Sequence, residues 1–132
     1  MLTTSRFLWV MTVLELLAGL GLLFTPGLAL DLLLGVAAPA GETIGVTRLT
    51  GAALIAIGVM SHSGQHGEAS WWVLAGLLVY NAGACAVLAY IGAGLGLSGP
   101  LLWPAVLLHA ILTLWTLVCL RGATAPGNGT IN

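Results

Sequence analysis

Four long apolar runs, separated by short polar or glycine-rich stretches, dominate the chain. Each run is close to the twenty or so apolar residues that are needed to cross about 30 Å of hydrocarbon. Backbone N–H and C=O groups in lipid must be satisfied within the segment, so the runs are predicted to be helices. The period-two alternation of a membrane β-barrel is absent. We place the spans at residues 6–24, 43–60, 71–92 and 100–120.

The stretch between the first two spans is too short to cross a membrane. Thr25 is a suitable N-cap, Pro26 suits a first helical position, and Gly35 can end the helix. We predict a short surface helix over residues 26–34 with Asp31 facing water. The predicted fold class is therefore all-α: an integral membrane four-helix bundle, residues 1–121, with a surface helix between spans one and two and a flexible tail at 122–132.

Composition agrees with a protein surrounded by the lipid bilayer. The 132 residues are 59% hydrophobic and only 5% charged, whereas a soluble domain carries about 25% charged residues. The net charge of −1 argues against binding to nucleic acid, which requires a basic surface. The richness in Gly, Ala and Leu is typical of bacterial proteins from GC-rich genomes.

Two arginines indicate the orientation. Arg6 precedes the first span and Arg121 follows the fourth. Cytoplasmic flanks are enriched in Lys and Arg, and four spans bring both termini to one side of the membrane. We therefore expect a bacterial inner, or cytoplasmic, membrane protein with both termini in the cytoplasm.

Each predicted span carries a polar residue that is unusual in hydrocarbon: Glu15, Arg48, Asn81 and His109, with Tyr80 beside Asn81. At a rise of 1.5 Å per residue these positions fall within a slab of roughly 10 Å. We predict that they form an intramembrane cluster with Glu15 paired to Arg48. Its role is either structural, fixing the register of the helices, or functional, as a proton-titrating carboxyl or a polar pocket.

Small residues predict where helices approach closely. Small residues four apart allow tight packing in membranes. The second and third spans carry such pairs, so we predict that these two spans form the tightest helix pair. The residues concerned are Gly51, Ala52, Ala56, Ala82 and Ala86.

No catalytic motif or cofactor site is recognisable in the chain. His62 and His66 have the spacing of two metal ligands on one helical turn, but glycines surround them and a solvated loop is the preferred interpretation. We predict no metal and no cofactor. We expect a protein that is not an enzyme.

The chain resembles the DoxX-like and related small four-helix bacterial membrane proteins. The resemblance lies in Glu15 of the first span, the segment 26–35, the Thr-Arg-Leu-x-Gly-Ala sequence at 47–52 and the segment 99–109. It implies a four-helix fold and little chemistry, since such proteins are known mainly as accessory subunits or are uncharacterised.

Three functions remain open. The preferred one is a non-enzymatic accessory or scaffold subunit, working with a membrane-protein partner or as a homo-oligomer. The first alternative is a small proton-coupled transporter of hydrophobic compounds that uses Glu15. Arg48 distinguishes the two, because a Glu15 paired with it could not exchange protons near neutral pH. The second alternative is a quinone-binding or enzymatic subunit that uses His109 and Tyr80.

Overall fold

The structure is a computed structural model that describes residues 2–64 and 70–123. Those residues form five α-helices and no strand. Four helices are long and apolar enough to cross a membrane, which confirms the all-α, multi-pass four-helix bundle with a short helix between the first two spans. The helices are α1 (Leu2–Phe24), α2 (Pro26–Leu34), α3 (Gly41–Ser63), α4 (Ser70–Ala93) and α5 (Leu102–Gly122).

The helix ends differ from the predicted span ends mainly at two places. The first helix begins at Leu2, four residues before the predicted span, and the last begins at Leu102 rather than at Pro100. The second difference arises because Gly99 and Leu101 donate their backbone N–H groups to α2. His66 and most of the predicted tail lie outside the described residues.

The helices α1 and α3 form an antiparallel pair with close backbone contact. A Cβ atom added at Gly51 would lie 2.7 Å from the carbonyl oxygen of Gly19 and 2.7 Å from the backbone nitrogen of Leu23. Gly58 lies similarly against Leu16 further along the pair. Only glycine permits this approach, because any larger residue would push the two backbones apart.

The helices α4 and α5 form the second antiparallel pair, and side chains hold it together. Asn81 contacts His109, the Cys85 thiol donates to the carbonyl oxygen of Val106 over 3.6 Å, and Gly92 lies against Leu102. This pair and the α1/α3 pair have the extensive contacts in the described bundle, whereas α3 and α4 approach each other at few positions.

The prediction that spans two and three pack most tightly was therefore wrong. Of the residues predicted to pack there, Gly51 is buried, but against α1. The buried positions of α3 recur every three or four residues and turn towards α1, which leaves the alanines beside them on the outside. The exposed predicted residues are Ala52, Ala56, Ala82 and Ala86.

The short helix α2 joins the two pairs at one end of the bundle. The last carbonyl groups of a helix have no partner within it. Here Leu32 and Leu33 accept the N–H groups of Leu101 and Gly99 at 2.9 and 3.1 Å. Gly35, at φ 70°, turns the chain back so that its own N–H reaches Asp31 at 2.8 Å. We call these contacts between α2 and residues 99–101 the α2 clasp.

The hydrophobic core lies at the opposite end of the bundle, among α1, α4 and α5. Its buried members include Phe7, Met11, Leu77 and Leu112. The rings of Phe7 and Trp115 have their centroids 5.4 Å apart. This core places the middle of α1 against the middle of α4, which is where the polar residues of both helices lie.

Candidate functional site

The carboxyl group of Glu15 lies inside the bundle, at the midpoint of α1. Only 3% of the residue is exposed. Its Oε2 atom accepts a hydrogen bond from the Tyr80 hydroxyl of α4 at 3.1 Å. This contact joins the two helix pairs, because Glu15 belongs to the first pair and Tyr80 to the second.

Asn81, one residue further along α4, contacts α5. Its Oδ1 atom lies 3.0 Å from Nδ1 of His109 on α5 and accepts a hydrogen bond when Nδ1 carries the proton. Its Nδ2 group donates to the carbonyl oxygen of Leu77 at 2.9 Å and lies 3.9 Å from the Met11 sulfur. Asn81 is fully buried, so these contacts satisfy an amide that has no access to solvent.

The two contacts meet at the rings of Tyr80 and His109. Their centroids are 5.7 Å apart and the rings are nearly perpendicular, at 85°, an arrangement that aromatic rings favour. Glu15, Tyr80, Asn81 and His109 thus form one connected set, which we call the polar network. It contains one residue of α1, two of α4 and one of α5.

Arg48 is the predicted member that does not join the polar network. Its side chain is exposed, and it forms no ion pair with any residue in 2–64 or 70–123. The predicted Glu15–Arg48 pair is therefore not formed. The reason is the packing of α3, which buries Thr47 and Gly51, the latter against α1, and so leaves the neighbouring Arg48 on the outside of the bundle.

Other buried hydroxyl groups are satisfied within their own helices. Thr12, Ser61 and Thr116 each donate to the carbonyl oxygen four residues earlier, over 2.7–2.9 Å. This is the usual solution for Ser and Thr in a membrane helix. Among the described residues no buried side-chain nitrogen or oxygen lacks a partner. The polar network therefore differs from these hydroxyls in that it connects helices.

A cavity of about 150 Å³ lies between α3 and α4, with Tyr80 of the polar network in its wall. The sequence does not predict this cavity, because the cavity exists only where α3 and α4 make few contacts. The lining residues are Ile57, Met60, Ser61, Trp72, Val73, Gly76, Leu77 and Tyr80.

A larger apolar groove, of about 410 Å³, lies near α2. Residues of α1, α2 and α5 line it, including Leu22, Leu28 and Leu108. Thr25 is its one hydroxyl-bearing residue, and that hydroxyl is already bonded to the Gly21 carbonyl oxygen at 2.9 Å. The groove thus offers hydrocarbon contact and little else.

The described part of the chain contains no group of three potential metal ligands. Of the two histidines considered as a metal pair, His62 packs its ring against Trp9 with centroids 5.3 Å apart, and His66 lies outside the described residues. Cys85 and Cys119 are both free thiols. The absence of a cofactor stays a prediction.

No protein-family model, curated protein or solved structure matches this chain. The resemblance to DoxX-like proteins therefore stays a prediction.

Proposed function

We propose that this chain is a non-enzymatic accessory or scaffold subunit of the bacterial cytoplasmic membrane, with both termini in the cytoplasm. The observation that carries the proposal is the place of Arg48. It lies seven residues after the first residue of α3, roughly 10 Å along the helix at 1.5 Å per residue. Its exposed neighbours Val46 and Leu49 are apolar.

A charged group on an apolar outward face of a span needs a partner. Within membranes such residues almost always face a protein interior or a cavity, because exposure to hydrocarbon costs about 2.5–3.5 kcal/mol on insertion scales. In an assembly, an acidic or carbonyl-rich face of another membrane protein, or of a second copy, would supply that partner. The competing arrangement is that the arginine reaches up to lipid headgroups.

The mass of the protein extracted together with its lipid tests this proposal. The protein is extracted with an amphipathic polymer, and light scattering combined with absorbance gives the mass of protein in each particle. For the wild type this protein mass should exceed that of one chain. Arg48→Gln should reduce the protein mass per particle to that of one chain. Arg121→Gln, which removes an exposed arginine at the end of α5, should leave that mass unchanged. A single-chain mass for the wild type would contradict the proposal and favour the headgroup arrangement.

A second candidate function, a small proton-coupled transporter of hydrophobic compounds, is supported by the surroundings of Glu15. No cationic side chain within residues 2–64 and 70–123 pairs with this carboxyl, which accepts a hydrogen bond from the neutral Tyr80 hydroxyl. A carboxylate without a cationic partner raises the free energy of a low-dielectric interior. Glu15 is therefore suited to exchange a proton for a cationic group.

Uptake into proteoliposomes tests the second candidate. Under an imposed pH gradient, wild-type protein should drive accumulation of radiolabelled phenyltrimethylammonium, and Glu15→Gln should abolish it. Glu42→Gln changes an exposed carboxyl at the start of α3 and should leave uptake intact. Equal uptake by the wild type and Glu15→Gln would exclude Glu15 as the coupling residue.

A further inference from the structure

We propose that the cavity between α3 and α4 is a binding site for a small hydrophobic cation of about the size of a substituted benzene. This inference deepens the second candidate function, on which it rests, by naming the site and the class of ligand. The cavity volume of about 150 Å³ equals that of engineered apolar cavities of roughly 150 Å³ that bind benzene.

The lining favours a cation over a neutral apolar molecule. Two aromatic residues, Trp72 and Tyr80, form part of the wall together with the polarisable thioether of Met60. Aromatic faces attract ammonium groups. The described arginines Arg6, Arg48 and Arg121 are exposed and absent from the lining, so no described cationic side chain of the wall would repel such a ligand.

Tyr80 connects the cavity to an acidic group. Tyr80 lines the cavity, and its hydroxyl donates to Glu15. Because that proton is engaged, the Tyr80 oxygen has only acceptor capacity left. The ligand that complements such a wall has a positive charge or a hydrogen-bond donor, and the Glu15 carboxyl behind Tyr80 adds an attraction for positive charge.

The cavity can be reached from the side of the bundle. Helices α3 and α4 approach each other at few positions, and Met60 and Trp72 at its edge are 59% and 66% exposed. A hydrophobic cation dissolved near the membrane interface could therefore enter between two spans without separating either of the tight helix pairs.

Two glycines of α4 provide a cavity-filling variant and its matched control. Both glycines are exposed, but Gly76 lines the cavity and Gly83, seven residues later, does not. A Cβ atom at either position would meet nothing within 4 Å. Gly76→Leu should therefore fill space at the cavity wall with no clash at its Cβ atom, and Gly83→Leu places the same side chain elsewhere on the same helix.

The test is calorimetric titration of the full chain in detergent with phenyltrimethylammonium and with tert-butylbenzene, its uncharged isostere. The cation should bind about fivefold more tightly than the isostere, which corresponds to about 1 kcal/mol from contact with aromatic faces. Gly76→Leu should weaken cation binding about tenfold or more, while Gly83→Leu should leave it within about twofold. Equal binding of cation and isostere, or equal effects of the two leucine variants, would overturn the proposal.

Failure of this site is distinguishable from failure of the transport function. If Gly76→Leu abolishes cation binding while phenyltrimethylammonium uptake does not depend on Glu15, the cavity stands as a ligand site and transport through Glu15 is excluded. If uptake depends on Glu15 but cation binding is the same in Gly76→Leu and the wild type, transport stands and the proposed site is wrong.

Discussion

The two helix pairs of this bundle are held together by different means. In the α1/α3 pair, Gly19 and Gly51 bring the backbones so close that an added Cβ atom would lie 2.7 Å from backbone atoms of the other helix. In the α4/α5 pair, side chains such as Asn81 and His109 form the contact. Membrane helices lack a hydrophobic force between them, so close packing and interhelical hydrogen bonds are the available alternatives.

The two helix pairs also differ in the space that they leave for added atoms. The α1/α3 pair tolerates no added atom at its crossing, whereas Gly76 and Gly83 of α4 face open space. The polar network spans the boundary between the pairs, since Glu15 comes from the first pair and the other members from the second. Substitutions that act on one pair, or on their junction, can therefore test this comparison.

Gly51→Ala should lower the free energy of unfolding more than any other single substitution considered. The new methyl group would overlap the backbones of Gly19 and Leu23, and neither can rotate out of the way as a side chain could. Such overpacking costs about 1–3 kcal/mol, and backbone neighbours favour the upper end. Thermal unfolding in detergent, followed by circular dichroism, measures the loss.

Gly45→Ala is the matched control for this variant. It lies on the same helix and a Cβ atom there meets nothing within 4 Å. Because alanine has the higher helix propensity, this change should be neutral or slightly stabilising. Equal unfolding temperatures for the two variants would show that α1 and α3 do not approach as closely as described.

The next effect, about 2 kcal/mol of overpacking, is expected for Gly99→Ala. Its Cβ would collide with the Leu32 carbonyl oxygen and open the α2 clasp, which ties the first helix pair to the second. Gly27→Ala on α2, where the added atom meets nothing within 4 Å, serves as the control. Faster proteolysis near residues 95–101 in Gly99→Ala but not in Gly27→Ala would verify that the clasp has opened.

The membrane fold could be predicted from the sequence because its signals are local. About twenty consecutive apolar residues make a spanning helix whatever surrounds them, and the start of α2 at Pro26 and its end at Gly35 depend on nearby atoms. The predicted capping contact of Thr25 is not formed, because the Thr25 hydroxyl donates to the Gly21 carbonyl oxygen instead. The choice of helix partners is not local. Ala52 and Gly51 look equally suitable for close packing in sequence, and only the rotation of α3 against α1 decides that Gly51 is buried.

The same distinction applies to the candidate site. The depth of a residue in the membrane can be predicted by counting residues along its span. This count correctly predicted that four residues lie at one level: Glu15, Tyr80, Asn81 and His109. Depth does not say which way a side chain points around the helix axis. Arg48 lies at a suitable level but on the outward face, and the cavity beside Tyr80 depends on a gap between helices that no sequence pattern records.

The contact within the second pair should show as a coupling between Asn81 and His109. A double-mutant cycle of Asn81→Ala and His109→Ala should give a coupling energy of about 0.6 kcal/mol and not more than about 1.7 kcal/mol, the range of interhelical hydrogen bonds in membranes. The cycle of His109→Ala with Leu20→Ala, an exposed residue of α1, should give none. A coupling energy equal to that of the control would show that the Asn81–His109 hydrogen bond does not stabilise this pair.

The smallest effect is expected for Glu15→Gln, at the junction of the two pairs. The glutamine side-chain oxygen can still accept the Tyr80 hydroxyl, so the free energy of unfolding should change by less than about 1 kcal/mol. Glu15→Leu leaves that hydroxyl without an acceptor and should cost about 1–3 kcal/mol, and adding Tyr80→Phe to Glu15→Leu should recover part of the loss. Reversible unfolding in mixed micelles gives all three values.

This set of variants separates a hydrogen bond from a charge. If the junction depends on the Tyr80–Glu15 hydrogen bond, the neutral glutamine is an adequate replacement. If Glu15→Gln instead cost as much as Glu15→Leu, the negative charge itself would be required, and Glu15 would need a cationic partner inside the bundle. Arg48 would then have to turn inward. The description of Glu15 as a carboxyl bonded to Tyr80 inside the bundle, with Arg48 facing outward, would be wrong.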